Sequence, residues 1–163
     1  MKKFTMLLLI SALVILTLSC RLFSLERNEE GALTMETNLS LQVITNILES
    51  AVDLSNFVNL QLELRDGYVF VQADSVQFQG IAASNVTFHI ELLAVNGRLA
   101  GQITNLNVSG NLINESMLEN YNQILSERLA QASQQSERAV LQSVSVSPEG
   151  VKMVWLIDPQ TGN

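Results

Sequence analysis

The chain has 163 residues, of which 47% are hydrophobic and 15% charged, the composition of one globular domain of ordinary size. Asp and Glu outnumber Lys and Arg by 16 to 9, and because Lys2 and Lys3 lie in the N-terminal segment, the rest of the chain carries a formal charge of −9. The sequence therefore lacks the basic surface that nucleic acid or anionic lipid requires, and we expect no nucleic-acid partner.

The N-terminal segment has the pattern of a secretory signal. Two lysines precede an apolar run, Met6 to Leu18, which is short for a membrane-spanning helix of about 20 residues. The run ends at Thr17-Leu18-Ser19-Cys20. This ending resembles a lipobox, in which a small residue precedes the cysteine that receives diacylglycerol, although Thr17 stands where the motif usually has an aliphatic residue. We predict a signal peptide over residues 1–19.

Cys20 is the only cysteine, so no intramolecular disulfide can form, and an unpaired thiol in an exported protein needs a role. Lipid attachment supplies one, because two or more acyl chains hold a protein durably at a bilayer. We predict a bacterial lipoprotein anchored through Cys20 to the cell membrane or the outer membrane. Two alternatives stay open: an uncleaved signal anchor that reaches about Phe23, and a conventional signal peptide cut near Ser19.

The chain after the signal divides into three parts. The polar stretch that includes Glu26 to Gly31 predicts a flexible tether over residues 20–37. Residues 38–158 are predicted to form a single folded domain, and residues 159–163 a tail. The domain opens with apolar residues at helical spacing after Ser40, a residue type favoured at helix N-termini, which predicts a helix over residues 40–53.

The hydrophobic period then changes to two, which predicts strands at residues 58–65, 68–73, 76–78, 86–92 and 98–108. Asp66-Gly67 and Asn96-Gly97 are dipeptides typical of two-residue hairpin turns. The last of these strands changes phase between Ile103 and Leu106, and this change predicts a β-bulge.

A second helix is predicted over residues 115–133, with an apolar stripe that contains Met117, Tyr121, Ile124, Leu125, Leu129 and Ala132. Two strands, 140–146 and 151–157, follow it around a turn at Pro148 to Gly150. The order helix, four or five strands, helix, two strands predicts an α+β fold. In this fold a twisted antiparallel sheet carries two helices packed on one face.

The sequence carries no recognised catalytic motif. His89, the only histidine, lies between Thr87 and Glu91 on the polar face of a predicted strand, and we interpret it as a solvent-facing residue. A nucleophile elbow, a Gly-rich phosphate loop and a His-Glu-x-x-His motif are all absent from the sequence. We expect no enzyme, no metal site and no cofactor.

The apolar residues of the helices and strands allow two interpretations. They form an ordinary closed core, or the helices and sheet stand apart and leave an apolar groove that accommodates an acyl chain. The groove hypothesis assigns eleven lining candidates, which are Leu41, Ile44, Leu48, Phe88, Ile90, Met117, Tyr121, Ile124, Leu129, Met153 and Trp155.

Four stretches of the domain carry a family resemblance. They are Leu39-Ser40-x-x-x-Ile44-x-x-Ile47-Leu48, the unit Leu60 to Val71 around Asp66-Gly67, the stretch Leu99 to Gly110 that leads into Ile113 and the second helix, and the closing pair Val144 to Met153 around Pro148-Glu149-Gly150. With this order of elements the domain resembles the LmeA-like phospholipid-binding proteins of the tubular lipid-binding (TULIP) superfamily.

The resemblance implies a half-barrel that cradles a phospholipid or other acyl lipid between helix and sheet, a role in cell-envelope lipid handling, and no catalytic residues. The alternative is a non-enzymatic envelope scaffold or interaction protein with a closed core. In that case its acidic surface and strand edges would contact a protein partner that the sequence does not identify.

Overall fold

The computed structural model describes residues 23–27, 33–51, 54–78, 81–109, 115–133 and 138–157. The predicted signal peptide, Cys20 and the tail at 159–163 lie outside the described residues. The fold is α+β with antiparallel strands and two helices, as predicted. In chain order its elements are β1 (Phe23–Arg27), β2 (Leu33–Leu39), α1 (Leu41–Ala51), a short 3-10 helix (Leu54–Asn56), β3 (Phe57–Val58), β4 (Gln61–Arg65), β5 (Tyr68–Phe78), β6 (Ile81–Val95), β7 (Arg98–Ser109), α2 (Glu115–Ser133), β8 (Ala139–Ser147) and β9 (Gly150–Ile157).

The strands form a four-stranded sheet of order β1-β2-β9-β8 and a five-stranded sheet of order β3-β5-β6-β7, in which β4 also pairs with β5. The arrangement is open and not a closed barrel. The sheets meet where β8 crosses two hairpin turns: the Leu141 N–H donates to the Gly97 carbonyl at 2.8 Å, and the Gly67 N–H donates to the Val146 carbonyl at 3.0 Å. We call this side of the five-stranded sheet its turn end.

The N-terminal strands correct one prediction. Residues 23–27 and 33–37, assigned to a flexible tether, belong to β1 and β2, and β2 pairs with β9 along its whole length. Hydrophobic periodicity does not predict β2, because the most buried position of this strand is polar. Thr37 is buried opposite Met153, and its hydroxyl accepts a hydrogen bond from Trp155 Nε1 at 3.3 Å. The folded domain therefore extends farther toward the N-terminus than residue 38.

Helix α1 follows β2 directly. It begins at Leu41, and the Ser40 carbonyl accepts the Ile44 N–H at 3.1 Å, as expected for a helix that starts after Ser40. The helix ends at Ala51, and the last two predicted residues, 52–53, lie outside the described residues. Ile44 and Leu48, one turn apart, are buried and fix the face of α1 that packs on the core.

Left-handed Asn residues interrupt the five-stranded sheet along one line. β3 and β4 hold the same register on β5, but Asn59 between them has a φ of 53°, and its Nδ2 donates to Asp74 Oδ2 at 2.6 Å. Asn85 on β6 has a φ of 51° close to the same level. At this line the buried positions of β5 shift from Ala73 to Val76. The shift explains why one continuous strand reads as two in the sequence.

The predicted bulge in β7 is confirmed. Thr87 pairs with Asn107 but His89 pairs with Thr104, so β7 carries one extra residue between Thr104 and Asn107, within the region of the predicted phase change. Asn105 takes a φ of 50° there. Asn and Asp tolerate this left-handed conformation better than other non-glycine residues.

Candidate functional site

Helix α2 lies beside the free edge of β7 and is held there by two polar side chains. Asn122 Oδ1 accepts the Ile103 N–H at 2.7 Å. Ser126 Oγ accepts the Gly101 N–H at 3.3 Å and donates to the Gly101 carbonyl at 2.8 Å. Four helical residues rise about 6 Å and two strand residues about 6.6 Å, so the spacings match. The helix thereby satisfies backbone groups that an edge strand otherwise leaves unpaired.

The close approach of α2 depends on a glycine. A Cβ at Gly101 would lie 2.6 Å from Leu129 Cδ1 and 3.0 Å from Leu125 Cδ2. Both leucines are buried, together with Ser133 on the same face of the helix. The buried face of α2 is therefore rotated relative to the predicted stripe. Ile124, which the prediction places on that face, is 37% exposed, and Ala132 is also exposed. Hydrophobic periodicity missed this because Asn122 and Ser126 occupy the side that faces β7.

The turn end of the five-stranded sheet is filled by large side chains. Leucines from β4, β6, β7 and α2 are buried there and belong to one hydrophobic cluster, which contains Leu64, Leu92, Leu99, Leu125 and Leu129. The same cluster holds seven of the eleven predicted groove residues, which are Ile44, Leu48, Phe88, Ile90, Leu129, Met153 and Trp155. The structure therefore brings these seven together as a packed core.

The opposite end of the domain is less completely covered. Here apolar side chains at both edges of the five-stranded sheet and on the first half of α2 are only half-buried. We call them the rim residues: Phe57, Leu60, Leu106, Val108, Met117 and Tyr121. Two of them, Met117 and Tyr121, are predicted groove residues. Of the other four, Leu106 and Val108 alternate with polar neighbours along β7, a pattern that identifies an inner face but does not indicate how completely that face is covered.

The helix and the strand bring rim residues to the same level. Met117 precedes Asn122 by five residues, which is about 7.5 Å along the helix axis. Leu106 follows Ile103 by three residues, which is at most about 10 Å along β7. Because Asn122 bonds to Ile103, Met117 of α2 and Leu106 of β7 lie at about the same level along the sheet.

The floor between the rim residues consists of small side chains. Ala73 and Val76 of β5 and Ala83 and Val86 of β6 are buried, and we call them the floor residues. On one side, the Phe57 ring reaches inward to Phe88, with ring centroids 6.4 Å apart. The floor residues are smaller than the leucines at the turn end, and four rim residues, Phe57, Leu60, Leu106 and Val108, pack against the same core from its periphery.

Tyr121 marks the polarity of this space. Its partial burial raises the pKa of the phenol above its ordinary value of 10.0, because desolvation penalises the charged phenolate. The site is therefore a poorer environment for a charge than water is. An apolar ligand with its charge outside the rim satisfies this condition.

Two predicted residues lie apart from both the core and the rim residues. Leu41 is 37% exposed at the start of α1, and Ile124 faces outward from α2 with the same exposure. Cys20, the predicted lipid-attachment residue, lies outside the described residues.

The outer face of the five-stranded sheet carries an aromatic cluster around His89. The imidazole stacks on the Tyr68 ring at 3.9 Å between centroids, and its Nδ1 lies 3.0 Å from Asn105 Nδ2. The Arg65 guanidinium lies 4.2 Å from the Phe70 ring centroid. His89 lies on the outer face of the sheet, as predicted, and its side chain is half-buried among these neighbours.

The described parts of the chain hold no group of three or more His, Cys, Asp or Glu side chains placed to bind a metal ion. Neither helix in them is long and apolar enough to cross a bilayer. No protein-family model matches the sequence, and searches of curated proteins and of solved structures return no match. The resemblance to LmeA-like proteins therefore stays a prediction.

Proposed function

We propose that this protein is a membrane-anchored, extracytoplasmic lipoprotein that binds the acyl chain of a phospholipid or another lipid between the rim residues. Cys20 would carry the anchor, and binding would involve no catalysis. One observation carries the proposal: half-buried apolar side chains from four places in the chain, the strands β3 and β7, the segment before β4 and the helix α2, flank the small, buried floor residues.

The energetics suit exchange with a bilayer. Each CH₂ group removed from water contributes about 0.8 kcal/mol, so even a short stretch of acyl chain would bind from solution. Transfer of the same group from a bilayer changes its free energy little, because both environments are apolar. A lipid could therefore leave the site for a membrane as readily as it enters.

A second candidate function rests on a different observation. Seven predicted groove residues are packed in one cluster, which favours a closed core over that part of the molecule. On this alternative the protein is a non-enzymatic envelope interaction protein, and the half-buried rim residues are only the periphery of the core. The two candidates differ in what a bulky side chain at the rim does.

The test measures uptake of a fluorescent fatty acid by the wild-type protein and by two tryptophan variants of α2, Met117→Trp and Ile124→Trp. Met117→Trp places an indole among the rim residues and is expected to weaken uptake about tenfold, equivalent to about 1.4 kcal/mol or nearly two excluded CH₂ groups. Ile124→Trp adds an indole to the exposed side of α2 and should leave uptake unchanged.

Leu106→Trp, on β7 beside α2, serves as an independent rim variant. Urea unfolding of each variant separates lost binding from lost folding. If the delipidated wild-type protein neither copurifies with lipid nor takes up the fatty acid, lipid binding is refuted and the envelope interaction protein is favoured. Equal uptake by all three variants would refute the location of the site.

A further inference from the structure

We propose that the domain rests on the membrane that holds its anchor, with the N-terminal turn of α1 against the lipid surface and the rim residues pointing away from it. This inference deepens the proposed function and depends on its anchor at Cys20. The occupant of this surface is a bilayer of uncharged or zwitterionic lipid. The argument uses the length of chain between Cys20 and β1, the place where β1 starts, and the exposed residues nearby.

The chain between the anchor and the fold is short. Cys20 precedes Phe23, the first residue of β1, by three residues, which span at most about 11 Å even when fully extended. A lipid on Cys20 would therefore hold the start of β1 close to the headgroups. A long flexible tether, which would let the domain turn freely, is not available because residues 23–27 are part of the sheet.

The start of β1 faces one particular side of the domain. Phe23 pairs with Thr37 and Arg27 pairs with Leu33, so β1 begins beside the end of β2 that continues into α1. Leu41, the first residue of α1, follows Thr37 by only four residues. The anchor and the N-terminal turn of α1 therefore lie on the same side of the four-stranded sheet.

The surface on this side includes exposed apolar residues. Leu41 is 37% exposed and Val43 is 40% exposed in the first turn of α1, where Ile44 is buried. Nearby turns carry the exposed acidic residues Asp66 and Glu149, and Gly67 is hydrogen-bonded to β8 close to the β8–β9 turn. Apolar and acidic residues together favour a bilayer without net negative charge.

The experiment uses the full-length acylated protein, purified from membranes and reconstituted into phosphatidylcholine vesicles that contain a nitroxide-labelled lipid. Because Cys20 is the only native cysteine and its thiol is consumed by acylation, Val43→Cys and Val58→Cys each introduce a single labelling site for a fluorophore. Val58 is a matched control, since it is a valine with 53% exposure on β3, next to the rim residue Phe57.

The nitroxide lipid is expected to quench the label at position 43 severalfold more strongly than the label at position 58, and added anionic lipid should weaken this quenching. Stronger quenching at position 58 would mean that the rim residues face the bilayer, and equal quenching would mean free rotation; either result overturns the orientation while the anchor stands. Cys20→Ser should release the protein from the vesicles. If the unsubstituted protein does not cosediment with them, the anchor itself fails, and the orientation fails with it.

Discussion

The packing of α2 on β7 can be tested by adding one methyl group at Gly101. The new Cβ would lie 2.6 Å from Leu129 Cδ1 and 3.0 Å from Leu125 Cδ2, closer than carbon atoms approach without displacement. Both leucines are buried, so neither can move without disturbing its neighbours. Overpacking of this kind costs about 1–3 kcal/mol. Replacing a strand glycine with alanine normally gains about 0.5–1 kcal/mol, so a net loss would come from this contact.

Urea unfolding measures the loss, with the fluorescence of Trp155 as the signal, because it is the only tryptophan and is 3% exposed. The matched comparison introduces Gly101→Ala into a Leu129→Ala background, which removes the nearest clashing group. There the penalty of the added methyl should shrink by at least about 1 kcal/mol, as expected for residues in direct contact. A Gly101→Ala variant that is as stable as wild type, or more stable, would refute the position of α2 and with it the geometry of the rim residues.

Three further predictions follow from individual contacts. Asn122→Ala deprives a half-buried β7 N–H of its 2.7 Å acceptor and should cost about 1–3 kcal/mol in urea unfolding; an unchanged midpoint contradicts this. Thr37→Val removes the acceptor of buried Trp155 Nε1 and should cost a similar amount, again about 1–3 kcal/mol, with a shift in Trp155 emission; equal stability and an unshifted spectrum argue against the bond. In a Tyr68→Phe background, Tyr121 should ionise above 10.0 when the protein is folded. Because the folded state then keeps a proton that the unfolded chain has lost, stability should fall as the pH rises above that value, and identical titration curves in buffer and in urea would disprove the desolvation.

The sequence predicts much of the fold because local patterns determine it. The turns at Asp66-Gly67 and Asn96-Gly97, the helix Glu115–Ser133 and the β7 bulge are all confirmed. Each depends on residues close together in the chain, such as a left-handed asparagine or a helical repeat. Their agreement with the α+β fold shows that local preferences and tertiary packing favour the same elements.

The mistakes arise where the environment of a residue depends on distant parts of the chain. β2 was missed because its most buried position is Thr37, whose hydroxyl is satisfied by Trp155, a residue far along the sequence. The buried face of α2 differs from the predicted one because the helix lies against the edge of β7. There Asn122 and Ser126 form hydrogen bonds to the strand backbone, which apolar side chains cannot do. Hydrophobic periodicity contains neither piece of information.

The candidate site was only partly predictable for a related reason. A packed core and a lipid groove both require apolar side chains at the same periodic positions, so the sequence does not distinguish Leu129, which is buried, from Met117, which is half-buried. The two ends of the domain differ in the size of their buried side chains. Leu129 belongs to the leucine-rich part of the core at the turn end, whereas the floor residues at the other end include the smaller Ala73 and Ala83.

The central claim, that the rim residues bind an acyl chain, is tested most directly by native mass spectrometry of the chain from Arg21 onward. This part contains every strand and helix that the structure describes and omits the lipidated cysteine. The account predicts an adduct of lipid mass that dissociates on denaturation and is lost or much reduced in Met117→Trp but kept in Ile124→Trp. A bare protein mass after gentle extraction and after incubation with liposomes would contradict it.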